Sequence, residues 1–135
     1  MNVKQLTAGQ LMSTDLITIE STAPLREAVQ LLAKHRIHCL IVPPVDPGAC
    51  AGILTIKDIV QVLCDGEQHL LDKLMVLDVM TAPCVSVQKD FLMGDCIKLM
   101  RACGVRSAPV LDGTLLVGLL SFTDVLKAVA GSYAS

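Results

Sequence analysis

The chain repeats itself. Leu11-Met-Ser-Thr-Asp-Leu-Ile-Thr-Ile19 aligns with Val79-Met-Thr-Ala-Pro-Cys-Val-Ser-Val87, an offset of 68 residues. The same offset carries Leu25, Ala28, Val29, Leu31 and Leu32 onto Met93, Cys96, Ile97, Leu99 and Met100, and Ile37-His38-Cys39 onto Val105-Arg106-Ser107. It then falls to 66, where Gly52-Ile-Leu-Thr-Ile-Lys-Asp-Ile59 matches Gly118-Leu-Leu-Ser-Phe-Thr-Asp-Val125. A small length difference in one turn is all that breaks the register. A duplication constrains the fold more than any single motif, because each copy must be one supersecondary unit.

Each copy reads as strand, helix, strand, strand, helix, an α+β pattern. Ile17–Ile19 and Val85–Val87 are short alternating β-branched segments. Apolar residues at helical spacing predict helices over Leu25–His35 and Met93–Cys103. Ser21, Thr22 and Pro24 offer a start for the first of these, with Glu27 in its first turn. Ile37–Val42 and Val105–Leu111 read as buried strands running into the turns Pro43–Gly48 and Asp112-Gly113. Ala51–Leu54 and Leu115–Leu120 return as third strands, and helices follow from Ile56 and Phe122. Asp65-Gly66 breaks the chain before a connecting helix over Glu67–Leu74. The expected organisation is repeat 1 over 1–64, a linker helix in 65–76 and repeat 2 over 77–135. A copy of about 55 residues would bury only about 60% of its surface and be marginal alone. The two copies are therefore expected to pack as a pseudo-two-fold pair with two equivalent clefts.

Composition narrows the function. Hydrophobic residues make up 53% of the chain and charged ones 18%, which excludes disorder. A net charge of −2 and 2% aromatics supply neither a basic stripe nor a stacking surface, so nucleic acid is not an expected partner. No apolar run reaches the roughly 18–20 residues of a membrane span. The opening Met1–Gln10 lacks the apolar core of a signal peptide, so the chain is expected in the cytoplasm. In that setting the six cysteines read as small buried thiols rather than a disulfide framework, and no Cys-x-x-Cys marks a zinc site. His35-Arg-Ile-His38-Cys39 has metal-ligating types, but a helix end followed by a strand would splay them. No nucleophile elbow, P-loop or His-Glu-x-x-His occurs, so catalysis is not expected.

Chemistry concentrates where a strand hands over to a helix, at Thr55-Ile-Lys-Asp58 and Ser121-Phe-Thr-Asp124. One reading is a capping box, with hydroxyl and carboxylate closing the helix start on each other. The other is a ligand site: a helix N-terminus suits phosphate, the hydroxyl adds a donor, and an ionised Asp accepts both hydroxyls of a ribose diol. Gly52 and Gly118 would let a backbone or a ligand approach closely. Matching hydroxyl and carboxylate positions in both copies favour ligand binding.

These residues resemble the cystathionine-β-synthase (CBS) domain, and the chain resembles a tandem CBS pair, or Bateman module. The resemblance rests on Met12-Ser13 and Met80-Thr81, the two eleven-residue helices, Ala108-Pro-Val-Leu-Asp112, and above all Gly-h-h-[Ser/Thr]-x-x-Asp-h at Gly52–Ile59 and Gly118–Val125, where h is apolar. It implies a regulatory module that requires no cofactor. Its ligands would contain adenosine (AMP, ADP, ATP or S-adenosylmethionine) and sit between the repeats. One implied site uses Ser121, Thr123, Asp124 and Arg106, with Met12, Ser13, Asp15, Ile17, Ile37 and His38 opposite. The other uses Thr55, Lys57, Asp58 and His38, with Met80, Thr81, Pro83, Val85, Val105 and Arg106 opposite. Ile17 or Val85 would offer backbone contacts to adenine, while Arg106, Lys57 and His38 would face phosphates. Repeat 1 departs from the pattern at Leu40-Ile-Val-Pro-Pro44 and at Lys57, which ranks the Asp124 site first. The resemblance also implies a homodimer and an effector protein. The competing expectation is a structural dimerisation module whose clefts hold no ligand.

Overall fold

In a computed structural model that describes residues 2–45 and 51–133, the same order of elements is laid out twice. A short helix α1 (Ala8–Leu11) precedes α2 (Leu25–His35), β1 (Cys39–Val42), β2 (Gly52–Thr55) and α3 (Ile56–Asp65). After α4 (Leu70–Lys73) come β3 (Val87–Gln88), α5 (Met93–Cys103), β4 (Ser107–Asp112), β5 (Leu115–Ser121) and α6 (Phe122–Ser132). Single 3-10 turns occupy Val3–Gln5 and Val76–Asp78. Residues 46–48 of the expected first turn, and Cys50, lie outside the described residues.

The chain forms two compact units whose borders cross those of the repeats. One is Ile17–Cys84; the other combines Met1–Leu16 with Val85–Ser135. Each unit thus takes the body of one repeat and the leading segment of the other.

In the first unit β1 pairs antiparallel with β2, with Leu40 opposite Leu54. The expected strand Ile17–Ile19 is reduced to one parallel bridge between Thr18 and Ile41. Leu25, Ala28 and Leu32 of α2 bury against Leu40, Val42, Leu54, Ile59 and Val76. Spacing of three and four residues keeps them on one helical face. In the second unit β3 lies parallel to β4 and β4 antiparallel to β5, with an irregularity between Val110 and Leu111. There Met93, Cys96 and Met100 take the places of Leu25, Ala28 and Leu32, packed on Val87, Ala108, Val110 and Leu120. Both cores are aliphatic.

Three expectations need correction. The hydroxyls of Ser21 and Thr22 do not cap α2: Pro24 stands at the cap with no side-chain bond. Backbone does the job instead, since Leu25 N–H donates to the Leu74 carbonyl (3.0 Å) and Val76 N–H to that of Ala23 (2.8 Å). The second unit repeats this with Met93 N–H to Leu6 (2.8 Å) and Ala8 N–H to Phe91 (2.9 Å). The segments ahead of each repeat therefore act as cap strands for the long helices. The cysteines also divide: Cys39 and Cys96 are buried, whereas Cys64 and Cys103 are exposed near helix ends. The connecting helix covers Leu70–Lys73, shorter than the expected span.

α2 ends at Arg36 in the left-handed region (φ 53°), and α5 at Gly104 (φ 68°), equivalent positions in the two repeats. Glycine adopts this conformation without a Cβ clash and arginine does not, so repeat 1 carries the strained version.

Burial pushes the Cys96 thiol above its ordinary pKa, with the Asp95 carboxylate adding to the shift. The folded state then holds its proton where the unfolded chain, with an ordinary thiol pKa of about 8.5, has begun to lose it. Cys96 contributes fully below that pH, and its contribution is lost as pH rises towards the higher folded value. Under native conditions a maleimide is expected to modify Cys64 and Cys103 and to spare Cys96, a pattern that peptide mass mapping reads directly. Equal labelling of Cys96 in the folded protein would contradict its burial.

Candidate functional site

Both strand-to-helix junctions are built alike. At β2–α3, the Thr55 N–H and hydroxyl donate to Asp58 Oδ2 (2.8 and 3.0 Å), and the Asp58 N–H donates back to Thr55 Oγ1 (3.3 Å). At β5–α6, the Ser121 N–H and hydroxyl donate to Asp124 Oδ2 (2.9 and 3.0 Å), and the Asp124 N–H donates to Ser121 Oγ (3.3 Å). These are capping boxes. The first helical N–H is also engaged: Ile56 donates to the His38 carbonyl (3.0 Å) and Phe122 to that of Arg106 (3.1 Å).

This geometry narrows the chemistry read from sequence. Each hydroxyl spends its proton on its own carboxylate, and two of the first three helical N–H groups are taken. The junctions therefore offer less to a phosphate than a bare helix N-terminus would. They leave a half-buried carboxylate whose Oδ1 has no hydrogen-bond partner among the described residues, while Oδ2 is locked. A carboxylate oxygen carries two acceptor sites and so can receive a diol.

The glycines three residues before each hydroxyl have a definite occupant. A Cβ on Gly52 would lie 2.9 Å from Met80 Sδ and 3.3 Å from the Thr81 carbonyl. One on Gly118 would run into the Met12 side chain and lie 3.0 Å from the Ser13 carbonyl. The Met-[Ser/Thr] segment fills that approach. Thr81 exchanges two backbone bonds with Ile53 (both 2.9 Å), and Ser13 exchanges two with Leu119 (both 2.9 Å).

Among the expected site residues, the unit Ile17–Cys84 holds Thr55, Lys57, Asp58, His38, Met80, Thr81 and Pro83, and also Ile17 and Ile37. The other unit holds Ser121, Thr123, Asp124, Arg106, Met12, Ser13 and Asp15, and also Val85 and Val105. Ile17, Ile37 and Met80 pack partly buried on the first core, and Met12 and Val105 on the second. Lys57, His38, Thr81 and Pro83 are exposed, as are Thr123, Arg106, Ser13 and Asp15. Neither Lys57 nor Arg106 forms an ion pair among the described residues.

The two candidate adenine contacts differ. The Ile17 carbonyl already accepts the Ile41 N–H (3.2 Å). The residue equivalent to Ile41 in repeat 2 is Pro109, which has no N–H, so the Val85 carbonyl is left without a partner among the described residues. Pro109 belongs to the Ala108–Asp112 motif read from the sequence, and its consequence for the Val85 carbonyl shows only in the fold. Its signal was present as a Pro against an Ile at matched positions.

A hollow of about 390 Å³ reaches Asp58, lined also by Gln61, Val62, Asp65, Leu74 and Asp78. Three carboxylates with no cation do not suit a phosphorylated ligand. Asp58 is the one expected site residue on its wall. Among the described residues no cluster of His, Cys, Asp and Glu is arranged to hold a metal ion, and no helix is long and apolar enough to cross a membrane.

Comparison with known proteins agrees with this construction. The family model for the CBS domain matches residues 8–65 and 76–131. An uncharacterised protein of Methanopyrus kandleri is 27% identical over 93% of this chain and 63% of its own length. A hexameric CBS-CP12 protein from bloom-forming cyanobacteria superposes with a TM-score of 0.84 at 31% identity, over 90% of this chain and 66% of that one. A CBS domain pair solved with 5′-methylthioadenosine and S-adenosyl-L-methionine gives a TM-score of 0.77 at 25% identity, over 93% of this chain and 97% of that one. The chain spans 63% and 42% of the lengths of two curated archaeal relatives it matches.

Because the hydroxyls and carboxylates are helix caps, their removal is expected to cost stability before it costs anything else. Ser121→Ala should lower the free energy of unfolding by about 1 kcal/mol in urea titration, the usual worth of an N-cap. A loss well under half of that would mean the box is not formed in solution.

Proposed function

The chain belongs to the CBS-domain family, with two such domains in tandem, and from that premise we propose that it is a non-catalytic regulatory module for adenosine-containing ligands. The observation that carries this reading is the pair of matched carboxylates, Asp58 and Asp124. Each is fixed through Oδ2 by its own capping box, and each keeps Oδ1 for a ribose diol. A solved CBS pair holding 5′-methylthioadenosine and S-adenosylmethionine supports the ligand class.

The half with Asp124 is the better equipped. It combines the Ser121–Asp124 box with an Arg106 and a Val85 carbonyl that have no partner among the described residues. In the Asp58 half the Ile17 carbonyl is already occupied, and Lys57 stands where Thr123 does. Asp124, Ser121, Thr123, Arg106, Met12, Ser13, Asp15 and Val85 form the first binding group. Asp58, Thr55, Lys57, His38, Met80, Thr81 and Pro83 form the second, with Ile17 and Ile37 lending it apolar surface for adenine as Val105 does for the first. A ligand moves such a module only if it binds two arrangements of the domains unequally, and an effector protein then reads the shift. AMP, ADP, ATP and S-adenosylmethionine are the ligands to test.

We also propose a homodimer. α3 turns Ile56, Val60 and Leu63 outward (41, 50 and 43% exposed), and α6 turns out Leu126 at 69%. These exposed apolar residues flank the core-facing Ile59 and Val125 on their helices, and such faces mark association surfaces. The exposed thiols of Cys64 and Cys103 support a reducing, cytoplasmic setting. A second reading, a scaffold without ligand, is favoured by one observation: the junction hydroxyls are already spent on their own carboxylates.

Calorimetric titration with S-adenosylmethionine, 5′-methylthioadenosine, AMP, ADP and ATP tests the reading, with Asp124→Asn as the variant because an amide keeps an acceptor for the cap. At least one ligand is expected to bind, and to raise stability by about 2.7 kcal/mol at a hundredfold excess over its Kd. Asp124→Asn should weaken it by at least about tenfold, the cost of one lost charged hydrogen bond. Absence of binding by all five would leave the scaffold. Light scattering on Val60→Asp and Leu126→Asp tests the dimer, and a monomer is the expected result for at least one of them.

A further inference from the structure

The duplication supplies an internal comparison away from the junctions. At the offset of 68, Lys4 and Gly94 correspond to Asp72 and Arg26. Matched backbone bonds hold both pairs in the same setting: Met93 N–H to Leu6 and Leu25 N–H to Leu74. In the first unit Arg26 Nη1 lies 2.9 Å from Asp72 Oδ1 and closes the seam between α2 and α4. In the second unit the seam lacks that closure. A hollow of about 300 Å³ opens between the 3-10 turn Val3–Gln5 and α5, lined by Lys4, Leu92, Ile97, Lys98 and Arg101, with Asp95 and Gly94 on the same wall. Lys98 and Arg101 have no cationic counterparts either, since repeat 1 carries Gln30 and Ala33 there. None of the three cations is paired with a carboxylate among the described residues.

We propose that this hollow docks an acidic segment of a partner protein, one that sets an apolar side chain on the Leu92–Ile97 floor and places carboxylates on Lys4, Lys98 and Arg101. Like charges three residues apart on a helix repel each other, and an anion relieves that repulsion. A concave wall with three cations against the one carboxylate of Asp95 also presents a net positive field to whatever enters. The floor decides between occupants. Leu92 is 45% exposed, apolar surface that a small polyphosphate would leave wet and a leucine or phenylalanine would cover. The surface shares no residue with the proposed nucleotide site, so either proposal can fail alone.

The test is fluorescence anisotropy of the full chain with a labelled peptide of repeated Glu-Glu-Leu, a Glu-only peptide and inorganic tripolyphosphate. Lys4→Asp with Gly94→Arg installs the repeat 1 pair, and a Cβ at Gly94 meets Lys4 only at an ordinary 3.5 Å. This double variant should keep the wild-type melting temperature and weaken the Glu-Glu-Leu peptide by about tenfold or more, as should Lys98→Glu with Arg101→Glu. Lys34→Glu with Lys127→Glu, an equal charge change elsewhere, should leave affinity within about twofold. The proposal is overturned if the wild type does not bind the peptide or if the Lys34/Lys127 control weakens it equally. It also falls if the Glu-only peptide or tripolyphosphate binds as tightly as the leucine-bearing one.

Discussion

The structure depends on a close passage of backbone past glycine. At Gly52 and Gly118 the Met-[Ser/Thr] segment lies so near the strand that a Cβ would strike a methionine sulfur or a carbonyl. That proximity lets Thr81 pair with Ile53 and Ser13 with Leu119. The same segments run on into the caps of α2 and α5, where Leu74 and Leu6 supply the carbonyls. Without that approach, each long helix would begin on orphan N–H groups and each sheet would lose a neighbour.

The capping boxes follow as the next layer. A strand that ends on Thr55 or Ser121 must start a helix immediately, and hydroxyl and carboxylate satisfy that start between them. The arrangement uses up donors but holds the carboxylate rigid, which leaves one oxygen presented in a fixed place. The cap and the proposed ribose contact are therefore compatible, because the cap would hold the acceptor oxygen in place for it.

Duplication permits divergence at equivalent positions because each unit keeps its own core. Ile41 against Pro109 closes one carbonyl and opens another. Arg26 and Asp72 against Gly94 and Lys4 close one seam and leave a cationic hollow in the other. Differences of this kind do not disturb the aliphatic packing of Leu25, Ala28 and Leu32 or of Met93, Cys96 and Met100.

Much of this was legible in the chain itself. Helical periodicity located α2 and α5, since an apolar residue every three to four positions keeps one face turned to the core. The Gly-to-Asp motif located both strand-to-helix junctions, because a cap is a local contact four residues wide. Ser21 and Thr22 misled because a partner strand some fifty residues away supplied the cap they were expected to make. Local hydrogen bonds and periodic burial are written in neighbouring residues. Only the folded chain decided which leading segment completes which unit, whether Oδ1 or Oδ2 remains open, and which carbonyl a proline leaves bare. Those outcomes arise from pairings between residues far apart in sequence, and no short window of the chain contains both partners.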